Sequence, residues 1–160
     1  MPRRSPRGLR AAVPRGQSGA ASRLLVDTCP GAPVCTAVHT YLFVDGLDIV
    51  ARSDSRMAGI GPGRLLRPGG PLYPTDSPRT VDVAAEERPE PGPARLSLRV
   101  RLRGEAVIWS DLMYPGPDGG VIAEVRFRLD QYLGEIERAY AAARHTTERP
   151  PAAVRPEGAR

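Results

Sequence analysis

The sequence predicts an α+β domain in which an antiparallel sheet of about five strands, built from two hairpins, carries one C-terminal helix. Two short glycine-containing turns each have alternating apolar and polar residues on both sides. A further alternating segment follows, and an apolar stripe with helical spacing comes last. Strict alternation is typical of a strand with one buried face, and a 3.6-residue period is typical of a helix packed against it. The expected core therefore lies between a sheet and a helix.

The clearest hairpin extends from Arg95 to Trp109. Gly104 fits the first central position of a two-residue turn, where a positive φ is required. The resulting register pairs apolar residues on one face: Leu102 with Val107, and Val100 with Trp109. The opposite face carries guanidinium groups from Arg95, Arg99, Arg101 and Arg103, which meet Ile108 and Ser110.

A second hairpin precedes it, around Asp45-Gly46. An Asp-Gly pair flanked by β-branched and aromatic residues is the strongest short signal for a hairpin, so strands are expected over 38–44 and 47–52. A type I′ turn would pair Val44 with Leu47 and Leu42 with Ile49, and would place Thr40 near Ala51.

Residues 53–80 are expected to connect the first hairpin to the rest of the sheet as a long loop. Pro62 suits the first position of a short helical turn. Leu72 and Tyr73 would anchor the loop, which either lines a binding surface or serves only as a connection. A short strand over 81–85 follows.

The last strand and a helix close the predicted domain. Residues 121–129 alternate again, with Glu124, Arg126 and Arg128 directed outward. Asp130 is suited to cap a helix over 131–144, whose apolar stripe is expected to lie on the sheet face that holds Trp109. Its polar residues Glu135, Glu137 and Arg138 are expected to face solvent.

The net charge of +5 comes from the ends of the chain. Residues 1–36 contain six Arg and one Asp, whereas residues 37–148 contain 14 Arg and 16 acidic residues. With their many Pro and Gly residues, the ends are typical of disorder. We therefore expect a basic N-terminal tail over 1–36, a single domain over 37–145 and a C-terminal tail over 146–160.

Both cysteines, Cys29 and Cys35, fall in the expected N-terminal tail. Their spacing would suit a redox pair or half of a metal site, but zinc would need two further ligands and His39 is the only imidazole nearby. We interpret them as incidental thiols and predict no metal and no cofactor. A native chain that begins near Val34 or Val38 is an alternative explanation of the N-terminal composition.

The sequence contains no catalytic signature. Neither Gly-x-Ser-x-Gly nor His-Glu-x-x-His occurs, and the glycine-rich residues 59–63 lack the Gly-Lys-Ser/Thr of a phosphate loop. The candidate binding residues are Arg99, Arg101 and Arg103, whose guanidinium groups suit carboxylate or phosphate, together with Asp111 and Tyr114 at a sheet end. Alternation places Asp111 on the face of Trp109. A solvated outer face is the alternative interpretation of the arginines.

Several short motifs follow one another in a fixed order: Val44-Asp45-Gly46, Gly69 to Asp76, Val107-Ile108-Trp109, Val125-Arg126-Phe127 and Gln131-Tyr132. This order resembles small proteins of high-GC actinobacteria that have no known activity. The resemblance implies a domain over about residues 38–142 and no particular function. Some members carry a Cys- and Gly-containing segment before the central hairpin, and residues 86–93 contain no Cys, so no metal or redox role is carried over.

We expect a non-catalytic binding protein, regulatory or immunity-like, whose partner is another protein and whose binding surface is a sheet edge, the arginine face or the 53–80 loop. The alternatives are a nucleic-acid-associated protein that uses its basic tails and a small enzyme with an unrecognised site. No apolar run approaches the ~20 residues of a membrane span, and no secretory signal is evident. The expected location is cytoplasmic, without membrane contact.

Overall fold

The computed structural model describes residues 20–30, 37–51, 57–86, 95–113, 121–122 and 124–148. They form two antiparallel sheets and a long C-terminal helix, which confirms the predicted α+β class. The elements in chain order are β1 (Leu24–Pro30), β2 (Val38–Val44), β3 (Leu47–Asp48), β4 (Met57–Gly59), α1 (Pro62–Leu65), β5 (Arg79–Glu86), β6 (Arg95–Arg103), β7 (Ala106–Met113), β8 (Val121–Ile122), β9 (Val125–Arg128) and α2 (Leu129–Glu148).

The larger sheet has the strand order β4-β5-β6-β7, and both β8 and β9 pair with the edge of β7 opposite β6. It therefore has about five strand positions, although the predicted sheet of about five strands also included the first hairpin. The central hairpin has the predicted register: Leu102 pairs with Val107, and Val100 pairs with Trp109. Gly104 adopts a φ of 60° in the turn, a conformation that glycine adopts without steric cost.

The first predicted hairpin belongs to a separate three-stranded sheet with the order β1-β2-β3. Val44 pairs with Leu47 as predicted. The strand expected over 47–52 nevertheless ends at Asp48, because Asp48 Oδ1 accepts hydrogen bonds from the amides of Val50 and Ala51 at 2.9 and 3.0 Å. Aspartate commonly turns the chain in this way by bonding the backbone two residues on.

Residues 24–30, predicted to belong to the disordered N-terminal tail, form β1 and pair along their length with β2. Leu24 and Val26 are fully buried. The tail prediction is therefore wrong for this segment, because its few apolar residues gain a core through contacts with distant parts of the chain. Residues 1–19, 31–36 and 149–160 lie outside the described residues.

α2 begins earlier and ends later than the predicted 131–144, and residues 146–148 of the predicted C-terminal tail are helical. Asp130 lies in the first turn instead of capping the helix, where a negative charge is favourable to the helix dipole. The apolar stripe is buried as predicted: Tyr132, Ile136, Ala139 and Ala143.

A polar stripe of α2 bonds the free edge of β1. The Gln131 amide donates to the Leu24 carbonyl at 2.6 Å and accepts from the Leu24 amide at 3.2 Å. One turn on, Glu135 accepts from the Val26 amide at 2.7 Å, and Arg138 donates to the Val26 carbonyl at 2.6 Å. Residues spaced in this way share a helix face, so the stripe replaces a neighbouring strand. The prediction that Glu135 faces solvent is wrong for this reason, whereas Arg138 bonds β1 and still keeps 55% of its side chain exposed, as predicted.

Two contacts bring the sheets together at their edges. The Ser22 amide donates to the Arg126 carbonyl at 2.7 Å, so the segment before β1 runs beside β9. At the other side, His39 Nδ1 lies 3.0 Å from the Gly59 carbonyl oxygen. A Cβ atom on Gly59 would lie 1.7 Å from the Thr40 carbonyl oxygen, so the close approach of β2 and β4 requires glycine at this position.

Trp109, Phe127 and Tyr132 form an aromatic cluster under α2. The rings of Trp109 and Phe127 meet edge to face with centroids 4.9 Å apart. Trp109 Nε1 donates to the Tyr132 hydroxyl at 3.1 Å, and this hydroxyl donates to the Leu72 carbonyl at 2.8 Å. Burial raises the pKa of Tyr132 well above its usual value, so the phenol stays neutral and able to donate.

The loop between α1 and β5 is held from inside the fold. Arg79 Nη2 donates to the carbonyls of Gly70 at 3.1 Å, Pro71 at 3.2 Å and Tyr73. The Leu72 carbonyl between them accepts the hydrogen bond from the Tyr132 hydroxyl of α2, and the Leu72 side chain is fully buried. The anchoring role predicted for Leu72 and Tyr73 is thus confirmed, since Tyr73 is half-buried against the core.

Tyr132→Phe is expected to lower the free energy of unfolding by about 1–3 kcal/mol, because the buried Trp109 N–H and Leu72 carbonyl lose their shared partner. Urea denaturation followed by circular dichroism measures this loss. Tyr140→Phe, at a partly exposed position of the same helix, is the control and should cost less than about 0.5 kcal/mol. Equal losses in the two variants would contradict the role of the hydroxyl.

Glu135→Gln is expected to lose a pH-dependent part of the stability. Burial alone would raise the pKa of Glu135, but hydrogen bonds from Arg138 and from the Val26 amide lower it below its usual value of 4.5. A carboxyl with a depressed folded-state pKa adds stability above its ordinary pKa and loses it as the pH falls through the folded-state value. The stability difference between wild type and variant should therefore be present at neutral pH and shrink below pH 4.5.

Denaturant titrations of both proteins at a series of pH values measure this difference. A difference that stays constant as the pH falls into the acid range would show that the Glu135 carboxylate does not contribute through its charge.

Candidate anion-binding surface

The predicted site residues within the described part of the chain lie on the outer face of the larger sheet, which is turned away from α2. These are Arg99, Arg101, Arg103 and Asp111. Arg101 pairs with Ile108 and Arg99 with Ser110, as predicted. The strand alternation that buries Val100 and Leu98 thus directs the arginines outward. Tyr114 lies outside the described residues.

Asp111 reaches this face through a β-bulge. At this point β7 has one residue more than β6, and Asp111 adopts a φ of 53°. The additional residue reverses the alternation, so Leu112 enters the core in place of Asp111. The prediction that Asp111 shares the face of Trp109 is therefore wrong. Its carboxylate lies 3.3 Å from Arg99 Nη1, with both side chains about half-exposed.

Acidic side chains neutralise the charges of the two arginines in the N-terminal half of β6. Arg95 Nη1 lies 2.6 Å from one Asp82 oxygen, and the Ser97 hydroxyl donates to the other at 2.6 Å. The hydrogen bond from Ser97 and then that from Arg95 lower the pKa of Asp82, so this carboxylate remains charged. Arg99 is balanced in the same way by Asp111.

The C-terminal half of β6 keeps an excess of positive charge. Arg101 Nη2 lies 3.7 Å from a Glu124 oxygen, whereas Arg126 holds the other oxygen of this carboxylate at 2.9 and 3.0 Å. Arg103 is exposed and has no ion-pair partner among the residues that the structure describes. Arg101 and Arg126 therefore share the Glu124 carboxylate, and within the described part of the chain the charge of Arg103 is not balanced by an ion pair.

Four arginines lie on this face on the two strands that flank β7, and we call them the arginine rectangle: Arg101 and Arg103 on β6, and Arg126 and Arg128 on β9. In the strand register, Ile108 of β7 lies between Arg101 and Arg126, and Ala106 lies between Arg103 and Arg128. Strands are about 4.8 Å apart and alternate residues about 6.7 Å apart, so the four Cα atoms outline about 10 by 7 Å. Ile108 is only 1% exposed, as expected beneath arginine stems.

Arg128 at the fourth corner pairs with Asp130 through two hydrogen bonds of 3.2 and 3.0 Å. This bond from Arg128 is the main reason that the pKa of Asp130 lies below its usual value. Both side chains are largely exposed, and exposed pairs of this kind are easily exchanged for other partners. With Glu124 included, the rectangle and its ion-pair partners contain four positive and two negative charges, and Glu105 beside Arg128 adds a third negative charge.

A surface cavity of about 540 Å³ adjoins the rectangle at Arg128. Its lining combines two leucines with both signs of charge: Glu105, Arg128, Leu129, Asp130 and Leu133. Because its two carboxylates outnumber its one guanidinium group, the cavity adds apolar contact beside the rectangle and does not itself select an anion.

The sequence placed Arg126 and Arg128 on the outer side of a strand but did not identify them as site residues. They join Arg101 and Arg103 only because β9 pairs with β7. The matching alternation of the two segments was the one signal of this arrangement in the sequence.

Among the described residues, the cysteine and histidine candidates do not form a recognisable centre. Cys29 is an exposed free thiol directly opposite His39 in register, and Cys35 lies outside the described residues. Within the described ranges, no group of three or more His, Cys, Asp or Glu side chains is arranged to hold a metal ion. None of the described helices is long and apolar enough to cross a membrane.

No protein-family model, curated protein or solved structure matches this chain. The chemistry of the outer sheet face therefore supplies the basis for a functional proposal.

Asp111→Ala is expected to be less stable than Asp111→Gly by about 1–2 kcal/mol, since only glycine adopts a positive φ without steric cost. Both substitutions remove the carboxylate that pairs with Arg99, so their difference isolates the backbone conformation. Urea unfolding of the two variants under identical conditions measures it. Equal stability would contradict the bulge geometry.

Proposed function

We propose that this is a non-catalytic binding protein that recognises an acidic partner protein through the arginine rectangle. The observation that supports this proposal is the surplus of positive charge, four arginines against the three nearby acids Glu124, Asp130 and Glu105, on an exposed sheet face. Like charges held within about 10 Å of each other repel, and an acidic partner relieves that repulsion. Guanidinium groups bind carboxylates through two parallel hydrogen bonds, which gives geometric selectivity as well as attraction.

The other surfaces considered from the sequence support binding less well. Side chains of α2 already bond the edge of β1 at Leu24 and Val26, and Ser22 bonds beside β9. An incoming strand would find few free backbone groups at these edges. In the loop before β5, the carbonyls of residues 70–73 are bonded within the fold.

Nucleic-acid binding is the second candidate, favoured by residues 1–19, which contain five Arg and no acidic residue. Such runs attract phosphates without sequence preference and with strong salt dependence. The strand between the two rows of the rectangle presents Ala106 and Ile108 and offers no aromatic ring on which a base could stack. The rectangle itself therefore favours a protein partner.

The double variant Arg101→Glu/Arg103→Glu is expected to lose most of its binding to the acidic partner protein. Full-length tagged protein is incubated with an extract of its own organism after nuclease treatment, chemically cross-linked and recovered. The recovered acidic protein should fall roughly tenfold or more, because attraction becomes repulsion at two corners. The control Arg64→Glu/Arg67→Glu makes the same change of charge at exposed positions near α1 and should retain the partner.

Equal recovery by wild type and both double variants would contradict the proposal. Without nuclease, recovered nucleic acid that disappears when the five N-terminal arginines are replaced by glutamine would instead support the second candidate. Substitution is preferred to deletion of residues 1–36, since that deletion would remove β1.

A further inference from the structure

We infer that the partner segment is an extended peptide with acidic residues at alternate positions, an acidic-x-acidic motif that lies over β7 between the two rows of the arginine rectangle. This inference rests on the proposed function and specifies the chemistry of the partner.

The spacing of the two rows matches an extended chain. Arg101 and Arg103 are alternate residues of β6, and Arg126 and Arg128 are alternate residues of β9. Alternate side chains of an extended peptide point to the same side with the same repeat of about 6.7 Å. One acidic side chain of such a peptide would meet the pair Arg101 and Arg126, and the next would meet the pair Arg103 and Arg128. Consecutive acids would point to opposite sides, and only one of them would face the sheet.

Glu124 shows that one carboxylate can span the two rows. One of its oxygens lies 2.9 Å from Arg126 on β9, and the other lies 3.7 Å from Arg101 on β6. Glu124 thus resembles the first acidic residue of a bound peptide. Because its contact with Arg101 is long, a peptide carboxylate with two shorter hydrogen bonds can compete for that guanidinium group.

The second pair of the rectangle has no such bridging acid within the described part of the chain. Arg103 has no ion-pair partner there, and Asp130 pairs with Arg128 from its own end of β9. The strand between these two arginines presents the small side chain of Ala106, which leaves room for an acidic side chain to descend between the rows. The four arginines outnumber Glu124, Asp130 and the nearby Glu105, and the carboxylates of a peptide would neutralise the remaining positive charge.

The test compares two blocked peptides of the same composition, Gly-Ser-Glu-Ser-Glu-Ser-Gly and Gly-Ser-Ser-Glu-Glu-Ser-Gly. Their affinities for the full-length protein are measured by NMR titration at low salt. The alternating peptide should bind roughly fivefold more tightly or better, because both of its carboxylates reach arginine pairs. Arg103→Gln should abolish this preference.

Glu124→Gln gives an independent readout, because it removes the internal carboxylate that competes with the peptide. It should strengthen binding of the alternating peptide roughly threefold or more. Glu137→Gln changes the net charge by the same amount at an exposed position on α2 and should leave the affinity unchanged. Equal gains in both variants would show that only net charge matters.

Equal affinities of the two peptides would overturn the inference, and the proposed function would still stand if capture of the acidic protein depends on Arg101 and Arg103. Binding of a blocked oligothymidylate in preference to either peptide would overturn the inference in favour of a nucleic-acid ligand. If capture is also unaffected by charge reversal, the proposed function fails together with the inference.

Discussion

The fold depends on the requirement that the backbone groups at the edge of β1 find hydrogen-bond partners. Each buried amide or carbonyl left without one would cost about 1–3 kcal/mol. Gln131, Glu135 and Arg138 supply these partners from a single stripe of α2. Because this stripe fixes the rotation of the helix, the adjacent stripe that begins with Tyr132 is directed at Trp109. The inner face of the larger sheet is buried in this way, and its outer face remains for charged side chains.

The β-bulge at Asp111 connects packing with charge. It lets β7 bury both Trp109 and Leu112 although these residues are three positions apart, which regular alternation does not allow. The cost is a positive φ at a residue other than glycine, which aspartate tolerates better than most. The bulge also directs the Asp111 carboxylate to Arg99, so the neutralised half of the arginine face depends on an irregularity needed by the core.

The sequence predicted what depends on neighbouring residues and missed what depends on distant ones. The register of the central hairpin was predicted because Gly104 and the alternation around it are local signals. β1 was missed because its hydrogen-bond partners on α2 lie more than a hundred positions later in the chain. The bulge was missed because strict alternation was assumed through Asp111. Arg101 and Arg103 were identified as site residues, but Arg126 and Arg128 join them only through the pairing of β9 with β7.

The charges of the outer face differ in what they can contribute. Exposed ion pairs such as those of Arg99 and Arg128 add little to stability, so the fold gains little from the number of arginines on this face. Glu124 has a more specific effect, because its carboxylate joins the two rows of the rectangle and occupies the position that the proposed partner would use. A carboxylate of the proposed partner must therefore fit the arginines better than Glu124 does. Selectivity would then come from the difference between two carboxylates, and an acidic segment with the wrong spacing would gain too little to displace the internal one.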